Sequence, residues 1–107
     1  MSGADSRRPA QVEHVVQQRE AGSKGAFFIA EAAGEDVATM TYSRANASLI
    51  TIDHTDVASS LAGQGVGRTL LDALVGWARR SNTKVMPLCP YAASQFKKDA
   101  SIRDVLM

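Results

Sequence analysis

The first half of the chain carries the apolar runs and alternations that are typical of β-strands. Residues 26–33 form a mostly apolar run, which predicts a first strand. Residues 37–43 predict a second strand, because Ala38, Met40 and Tyr42 alternate with Val37, Thr39, Thr41 and Ser43. Residues 49–57 are rich in β-branched side chains and predict a third, longer strand. Short polar segments at 34–36 and 44–48 have the composition of turns. The pattern therefore predicts an antiparallel meander.

The residues before this meander carry weaker signals. Residues 1–11 are small, polar and interrupted by Pro9, so we expect a disordered N-terminal arm. Residues 12–19 alternate weakly and predict an edge strand, whose free edge would allow weak dimerisation. We therefore expect one folded domain over residues 18–106, as a monomer or a weak dimer.

The hydrophobic period changes in the second half of the chain. Between residues 67 and 80, with Trp77 beside them, apolar side chains recur at helical spacing: Leu70, Leu71, Leu74 and Ala78. Residues 84–88 predict a short strand, parallel to the third long strand because a helix connects the two. Residues 90–98 and 101–106 predict two further helical segments. The order of elements indicates an α+β fold with helices packed on one sheet.

The overall composition is that of one soluble domain. The chain has 107 residues, of which 45% are hydrophobic and 21% are charged, and its formal net charge is +1. This balance predicts no nucleic-acid surface, and no apolar run is long enough for a membrane span. The single cysteine excludes an internal disulfide, and no Cys/His cluster predicts a metal site. These features are typical of a cytoplasmic protein without a bound metal.

Three glycines at alternate positions, Gly63, Gly65 and Gly67, lie between the third long strand and the predicted helix. Glycine has no Cβ and lets a ligand approach the backbone closely. The start of a helix presents free N–H groups and the positive end of the helix dipole, so this segment predicts an anion site, most often for phosphate. Arg68 follows in the first helical turn, where its side chain could reach the phosphate. The alternative is a flexible turn without a ligand, because the glycine spacing alone is not specific.

Three motifs together resemble the GNAT superfamily of N-acetyltransferases. Residues 62–67 are similar to its acyl-CoA-binding signature, Q/R-x-x-G-x-G/A. More specifically, three segments resemble the small single-domain GNAT-like family often called the YjdJ type: His-Thr-Asp-Val at 54–57, Leu-Ala-Gly-Gln-Gly-Val-Gly at 61–67 and Lys-Val-Met-Pro-Leu-Cys-Pro-Tyr at 84–91. The resemblance covers nearly the whole predicted domain.

The resemblance implies a reduced GNAT-like acyl-CoA N-acyltransferase fold, in which the meander leads into a parallel strand pair that splays where acetyl-CoA enters. It also implies that the loop amides hold the pyrophosphate of CoA and that an amide near Val57 polarises the thioester carbonyl. The candidate cofactor-binding residues are Val57, Gly63, Gln64, Gly65, Val66, Gly67 and Arg68. The implied activity is transfer of an acetyl group from acetyl-CoA to an amine of a protein, a peptide or a small molecule.

Two other functions stay open at this point. Ala62 stands where the signature has Arg or Gln, which we expect to weaken CoA binding without abolishing it. The chain is also short for an N-terminal helix pair that commonly walls the acceptor site in the superfamily, so we expect an open acceptor cleft. One alternative is therefore a module that binds CoA or acetyl-CoA with little or no transferase turnover. The other is an interaction domain in which the glycine loop is structural.

Cys89 is the first candidate catalytic residue. It precedes Pro90 at the predicted start of a helix, where the helix dipole favours a thiolate that could carry the acetyl group. The alternative is a small buried apolar residue. Tyr91 could protonate the leaving thiolate, as a tyrosine does in many GNAT enzymes, although the YjdJ-type position is often phenylalanine.

His54 and Asp56 are the other candidate catalytic residues. Counting by twos, His54 shares a strand face with Ile50 and Ile52, where it could orient the acyl group, relay a proton or be a buried core histidine. Asp56 stands where the YjdJ-type motif has glutamate and could act as a general base through water. In an ideal strand Asp53 and Asp56 lie on opposite faces, and either is alternatively a solvated residue.

Overall fold

A computed structural model of the chain describes residues 15–31 and 34–107, which build a five-stranded sheet with helices on one of its faces. The strands are β1 (Gln17–Ala21), β2 (Lys24–Ala30), β3 (Asp36–Asn46), β4 (Leu49–Val57) and β5 (Lys84–Pro87). The helices are α1 (Val66–Arg80) and α2 (Pro90–Lys98), with 3₁₀ helices at Ser59–Leu61 and Ala100–Val105. Within the described residues, no helix has the length and apolar character that a membrane crossing requires.

The sheet has the order β1-β2-β3-β4-β5 and combines two modes of pairing. The first four strands form the predicted antiparallel meander, and β5 lies parallel to β4 after the crossover through α1. The predicted α+β fold is therefore confirmed. The edge strand β1 continues to Ala21, two residues beyond its predicted end at residue 19. The predicted arm at residues 1–11 lies outside the described residues.

The hydrophobic core lies between the sheet and both helices. Alternate residues of β3 and β4 are completely buried, as their period of two predicts: Met40, Tyr42, Ile50 and Ile52. They pack against the apolar stripe of α1, in which Leu70, Leu71 and Leu74 have no exposed surface. Helix α2 adds Ala92 and Phe96 to the same cluster. We call this side of the sheet the helix-covered face and the other side the open face.

A β-bulge in β4 changes which residues face the helices. Tyr42 pairs with Ile52 but Thr41 pairs with His54, so Asp53 is an extra residue in β4. Side chains that are directly opposite each other share a face, and Thr41 alternates with the buried Tyr42. His54 therefore lies on the open face. The prediction that it shares a face with the buried isoleucines of β4 is wrong, because that prediction assumed a regular strand.

The same bulge brings Asp53 and Asp56 to one face of the sheet. Asp56 pairs with an outward-facing threonine of β3. Asp53 accepts a hydrogen bond of 2.5 Å from the hydroxyl of Ser43, which also faces outward. The prediction that these two aspartates lie on opposite faces is therefore wrong, and both lie on the open face.

Strands β4 and β5 separate next to the bulge. Their parallel pairing ends at Ile52 and Pro87. The amides of Leu88 and Cys89 then both donate to the carbonyl of Ile52, at 3.0 and 2.9 Å. Within the described residues, the part of β4 at 53–57 has no strand beside it on this side. The splayed parallel pair is therefore confirmed, and it leaves an opening in the sheet.

Candidate functional site

The loop before α1 exposes backbone amides beside open space. Gly63 and Gly65 have positive φ angles of 79° and 74°, which glycine adopts without strain. Gly65 is the N-cap of α1, and a bond of 3.1 Å from Thr69 N to Gly65 O begins the α-helical pattern. The amides of residues 66–68 precede that bond. Apart from atoms of the glycine and its two neighbours in the chain, no described atom lies within 4 Å of the position that a Cβ would take at Gly63 or Gly65, so a ligand has room there.

This geometry fits a phosphate group of CoA. Free amides at a helix start hold an anion, and the helix dipole adds positive potential. No side chain caps the start of α1, and its first turn carries no acidic residue that would repel a phosphate. Loop and helix therefore offer donors, space and a favourable field at one point.

The glycine loop forms one wall of a cleft of about 320 Å³. Thr55 and Val57, beyond the bulge of β4, form another wall, and Tyr91 of α2 completes it. The loop contributes Leu61, Ala62, Gly63, Gly65, Val66 and Gly67. Most of the predicted cofactor-binding residues therefore come together. The exception in the loop is Gln64, whose exposed side chain donates to the carbonyl of Ser60 at 3.3 Å.

Tyr91 packs over the start of α1. A Cβ on Gly67 would lie 3.1 Å from Tyr91 Cζ, so the ring uses space that any other residue at Gly67 would fill. Burial raises the pKa of the Tyr91 hydroxyl above its usual value. The hydroxyl therefore stays protonated at neutral pH and is available as a hydrogen-bond donor in the cleft.

Cys89 lies next to the cleft, in contact with one of its lining residues. It is the N-cap of α2, with Pro90 at the first helical position, and 4% of its surface is exposed. Its Sγ atom is 3.3 Å from Thr55 Oγ1. Thr55 faces the helices because it pairs with the buried Met40 after the bulge. Thr55 is the site residue that sequence reasoning missed.

The side chain of Arg68 does not reach the glycine loop. Its guanidinium donates to Asp72 at 2.8 Å, to Gln95 at 3.0 Å and to Asp99. The carboxylates of Asp99 and, to a smaller extent, Asp72 raise the pKa of Arg68. The guanidinium thus joins α1 to the end of α2. A contact between this side chain and a phosphate therefore stays a prediction, and the backbone amide of Arg68 lies at the helix start.

The contact between Arg68 and Asp99 predicts a dependence of stability on pH. The Arg68 guanidinium, with a smaller effect of Ser101, lowers the pKa of Asp99 from 3.8 to about 2. As the pH falls, the Asp99 carboxylate therefore takes up a proton in the unfolded chain before it does so in the folded one. The contribution of the Arg68–Asp99 contact to stability is lost as the pH falls from 3.8 toward 2. Asp99→Asn removes the charge but keeps an oxygen that can accept from the Ser101 amide. We expect it to melt below the wild type at pH 7, with the difference shrinking over that acidic range in thermal melts. A difference that is constant with pH would contradict this.

His54 and Asp56 lie on the open face, away from Cys89. Both side chains are exposed. His54 lines a separate groove of about 560 Å³ on that face. The predicted catalytic residues are thus divided between the two sides of the sheet. On the helix-covered side, Cys89 is accompanied by Thr55 and Tyr91 instead.

Comparison with known proteins identifies one family. The family model described as GCN5-related N-acetyl-transferase matches residues 26–105. The solution NMR structure of a GCN5-like candidate N-acetyltransferase from Staphylococcus aureus is 35% identical, covers 85% of this chain and 87% of that protein, and has a TM-score of 0.67. No curated protein matches the sequence significantly.

More distant structures share the fold. GCN5 from Tetrahymena is 12% identical, with 73% of this chain and 51% of that protein covered at a TM-score of 0.59. A candidate acyl-CoA N-acyltransferase from Klebsiella pneumoniae is 17% identical, with 89% and 65% covered at a TM-score of 0.56. The chain thus spans about half and about two thirds of these two proteins. At such identities the similarity shows the fold alone.

Proposed function

The chain belongs to the GCN5-related N-acetyltransferase family, and from this premise we propose that it transfers the acetyl group of acetyl-CoA to a primary amine. The observation that carries the proposal is the uncapped start of α1, which presents its amides to the cleft beside the splayed strands. Thr55 and Tyr91, which both carry a hydroxyl group, line the same cleft. It therefore combines an anion site with proton donors.

The glycine loop is the proposed site for the pyrophosphate. The amides of residues 66–68 and the dipole of α1 supply positive potential, while Gly63 and Gly65 supply space. Bound acetyl-CoA supplies an activated acetyl group as a thioester. We propose that Val57, at the end of β4, helps to position the thioester carbonyl through a backbone amide.

Two proton transfers accompany the proposed reaction. The acceptor nitrogen forms a bond to the acetyl carbon while the carbon–sulfur bond breaks. The acceptor loses a proton to His54, Asp56 or water, and the leaving sulfur gains one. Because burial raises its pKa, the Tyr91 hydroxyl holds a proton that it can donate to that sulfur. Alignment of the two substrates supplies a large share of the rate.

A covalent route through Cys89 is the second mechanism. The thiol of Cys89 would accept the acetyl group, release CoA and then pass the acetyl group to the amine. The contact with Thr55 keeps the sulfur close to the cleft, but 4% exposure is what a structural cysteine shows. We therefore favour direct attack by the amine, with Cys89 in a structural role.

The alternative function is a CoA-binding module with little or no turnover. One observation favours it: among the described residues that line the cleft there is no carboxylate or imidazole. A general base would have to act from the open face through the opening between β4 and β5. Binding and turnover must therefore be measured separately.

The proposed function is tested by calorimetric titration with acetyl-CoA and CoA, followed by a coupled assay of CoA release with a panel of amines. We expect micromolar affinity, an increase in melting temperature on binding, and amine-dependent CoA release. Binding without release would support the module instead. Absence of both heat and thermal stabilisation would show that the glycine loop is structural.

Cys89→Ser distinguishes the two mechanisms. We expect the variant to bind acetyl-CoA like the wild type and to keep most of its turnover, because direct attack does not use the thiol. Intact mass after incubation with acetyl-CoA is the second readout. A gain of about 42 Da in the wild type that is absent from Cys89→Ser, together with loss of turnover, would establish the covalent route instead.

A further inference from the structure

A second cavity, larger than the cofactor cleft, lies on the open face, and we call it the open-face groove. Its volume is about 560 Å³. Hydroxyl side chains of β3, Thr41 and Ser43, form one side, and Asp53, His54 and Leu88 form the other. Both α1 and α2 pack on the opposite face of the sheet. The groove is therefore open to a large partner such as a peptide.

The open-face groove and the cofactor cleft flank the same opening in the sheet. Neighbouring residues of β4 line the two cavities, His54 the groove and Thr55 the cleft. After β5, Leu88 lines the groove while the thiol of Cys89 contacts Thr55. No strand of the described chain fills the space beside residues 53–57. A group that enters from the groove can therefore approach the proposed thioester position.

The groove holds one carboxylate that can accept an ammonium group, that of Asp53, and one ammonium group of its own, that of Lys24. Asp53 accepts hydrogen bonds from the Thr51 hydroxyl at 2.8 Å and the Ser43 hydroxyl at 2.5 Å, which fix its orientation. Each carboxylate oxygen keeps a further acceptor site. Lys24, at the side of the groove, donates to Ser43 rather than to Asp53.

The remaining aspartates of the described chain provide a contrast. Four of them bind an arginine: Asp36, Asp72, Asp99 and Asp104. Asp53 and Asp56, which flank His54 on the open face, form no ion pair with another described residue. Their charge therefore remains available to a positively charged ligand.

The groove also carries an apolar contact at the opening. Leu88 is 60% exposed and lines the groove. An alkyl chain that leads to the ammonium group would cover it, which makes such a chain a better ligand than a compact amine.

We propose that the open-face groove is the acceptor site and that it takes a lysine side chain of a peptide. This inference rests on the proposed acetyl transfer. The lysine stem packs on Leu88, Asp53 attracts the ammonium group, and the ammonium group loses a proton to the imidazole of His54. The free nitrogen then bonds to the acetyl carbon as the carbon–sulfur bond breaks. The nitrogen releases its second proton to water, and the leaving sulfur takes a proton either from water or from Tyr91, which water then reprotonates.

The test is a titration of the isotope-labelled full chain, saturated with CoA, with a blocked tripeptide that contains one lysine, followed by amide NMR spectra. We expect shifts at His54 and Leu88. The same peptide with norleucine keeps the alkyl chain but lacks the charge, and we expect it to bind the wild type at least roughly tenfold more weakly than the lysine peptide does. We expect a similar loss of affinity when the lysine peptide binds the Asp53→Asn variant. The control Asp104→Asn also removes one negative charge, but outside the groove, and should bind like the wild type.

Turnover provides the second readout. Asp53→Asn should raise the KM for the lysine peptide about tenfold and leave the Kd of acetyl-CoA unchanged. Equal binding of the norleucine peptide, or shifts confined to the helix-covered face, would overturn the groove assignment. Binding of cadaverine without binding of the peptide would overturn the peptide as acceptor. Peptide shifts in the groove without acetyl-CoA binding would instead overturn the proposed function and, with it, the acceptor role.

Discussion

Gly65→Glu is expected to abolish acetyl-CoA binding while the domain stays folded. The new side chain enters the open space beside the start of α1, where we place the pyrophosphate. Its negative charge repels the phosphates and competes for the amides of residues 66–68. Loss of two charge-assisted hydrogen bonds corresponds to an affinity that is lower by roughly 100-fold or more. Calorimetric titration of wild type and variant with acetyl-CoA measures this change directly.

Gly22→Glu is a matched control for this variant. Gly22 also has a positive φ angle, 62°, and open space around an added Cβ apart from its neighbours in the chain, but it lies in the turn between β1 and β2. Both variants carry about 1–2 kcal/mol of left-handed backbone strain and the same added charge. We therefore expect similar losses in melting temperature but normal binding for Gly22→Glu. Micromolar binding by folded Gly65→Glu would disprove the phosphate loop.

Elements that local chemistry determines could be predicted closely. The β-branched segment 49–57 and the proline-initiated helix 90–98 coincide with β4 and α2. Helix α1 begins at Val66, one residue before its predicted start, because Gly65 is its N-cap. The glycine loop and its place between a strand and a helix start were also readable, since both depend on neighbours in the sequence.

The side of β4 on which the candidate catalytic residues lie could not be predicted by counting in twos. The bulge at Asp53 is defined by how β4 pairs with β3, and the sequence of β4 alone does not specify that pairing. One signal was present. Val57 packs against the core together with Ile52, and their odd separation already requires a change of face within the strand. Thr55 is two residues before Val57 and therefore shares its face. The signal could thus have placed Thr55 on the helix-covered face, and His54 and Asp56 on the open face.

The position of the Arg68 side chain was beyond sequence reasoning for a different reason. Its partners Gln95 and Asp99 are 27 and 31 residues away, and their proximity follows from the packing of α2 beside α1. A charged residue in the first turn of a glycine-loop helix predicts an anion contact as readily as a helix–helix contact. In the structure the guanidinium makes the helix–helix contact, and the carboxylates of Asp72 and Asp99 attract it.

Gly25→Ala is expected to destabilise the fold strongly, although it adds one methyl group. A Cβ on Gly25 would lie 2.3 Å from Tyr42 Cζ, and Tyr42 has no exposed surface. The ring packs against Trp77, with centroids 5.5 Å apart, and its hydroxyl donates to Glu20 and accepts from Gln18. Displacing the ring strains this packing and breaks those bonds, so we expect a loss of about 2–3 kcal/mol in the free energy of unfolding. Urea unfolding of both proteins measures it.

Two comparisons test the cause of this loss. Gly76→Ala places the same methyl group in α1, where the nearest atom is the flexible end of Arg80 at 3.3 Å, and should stabilise the fold by about 0.5–1 kcal/mol. In the background of Tyr42→Leu, Gly25→Ala should be close to neutral, because the ring that conflicts with the new methyl group is absent. The double-mutant cycle then measures the energy of that conflict. An equal loss in both backgrounds would mean that the cost arises from the backbone of β2 and not from contact with Tyr42.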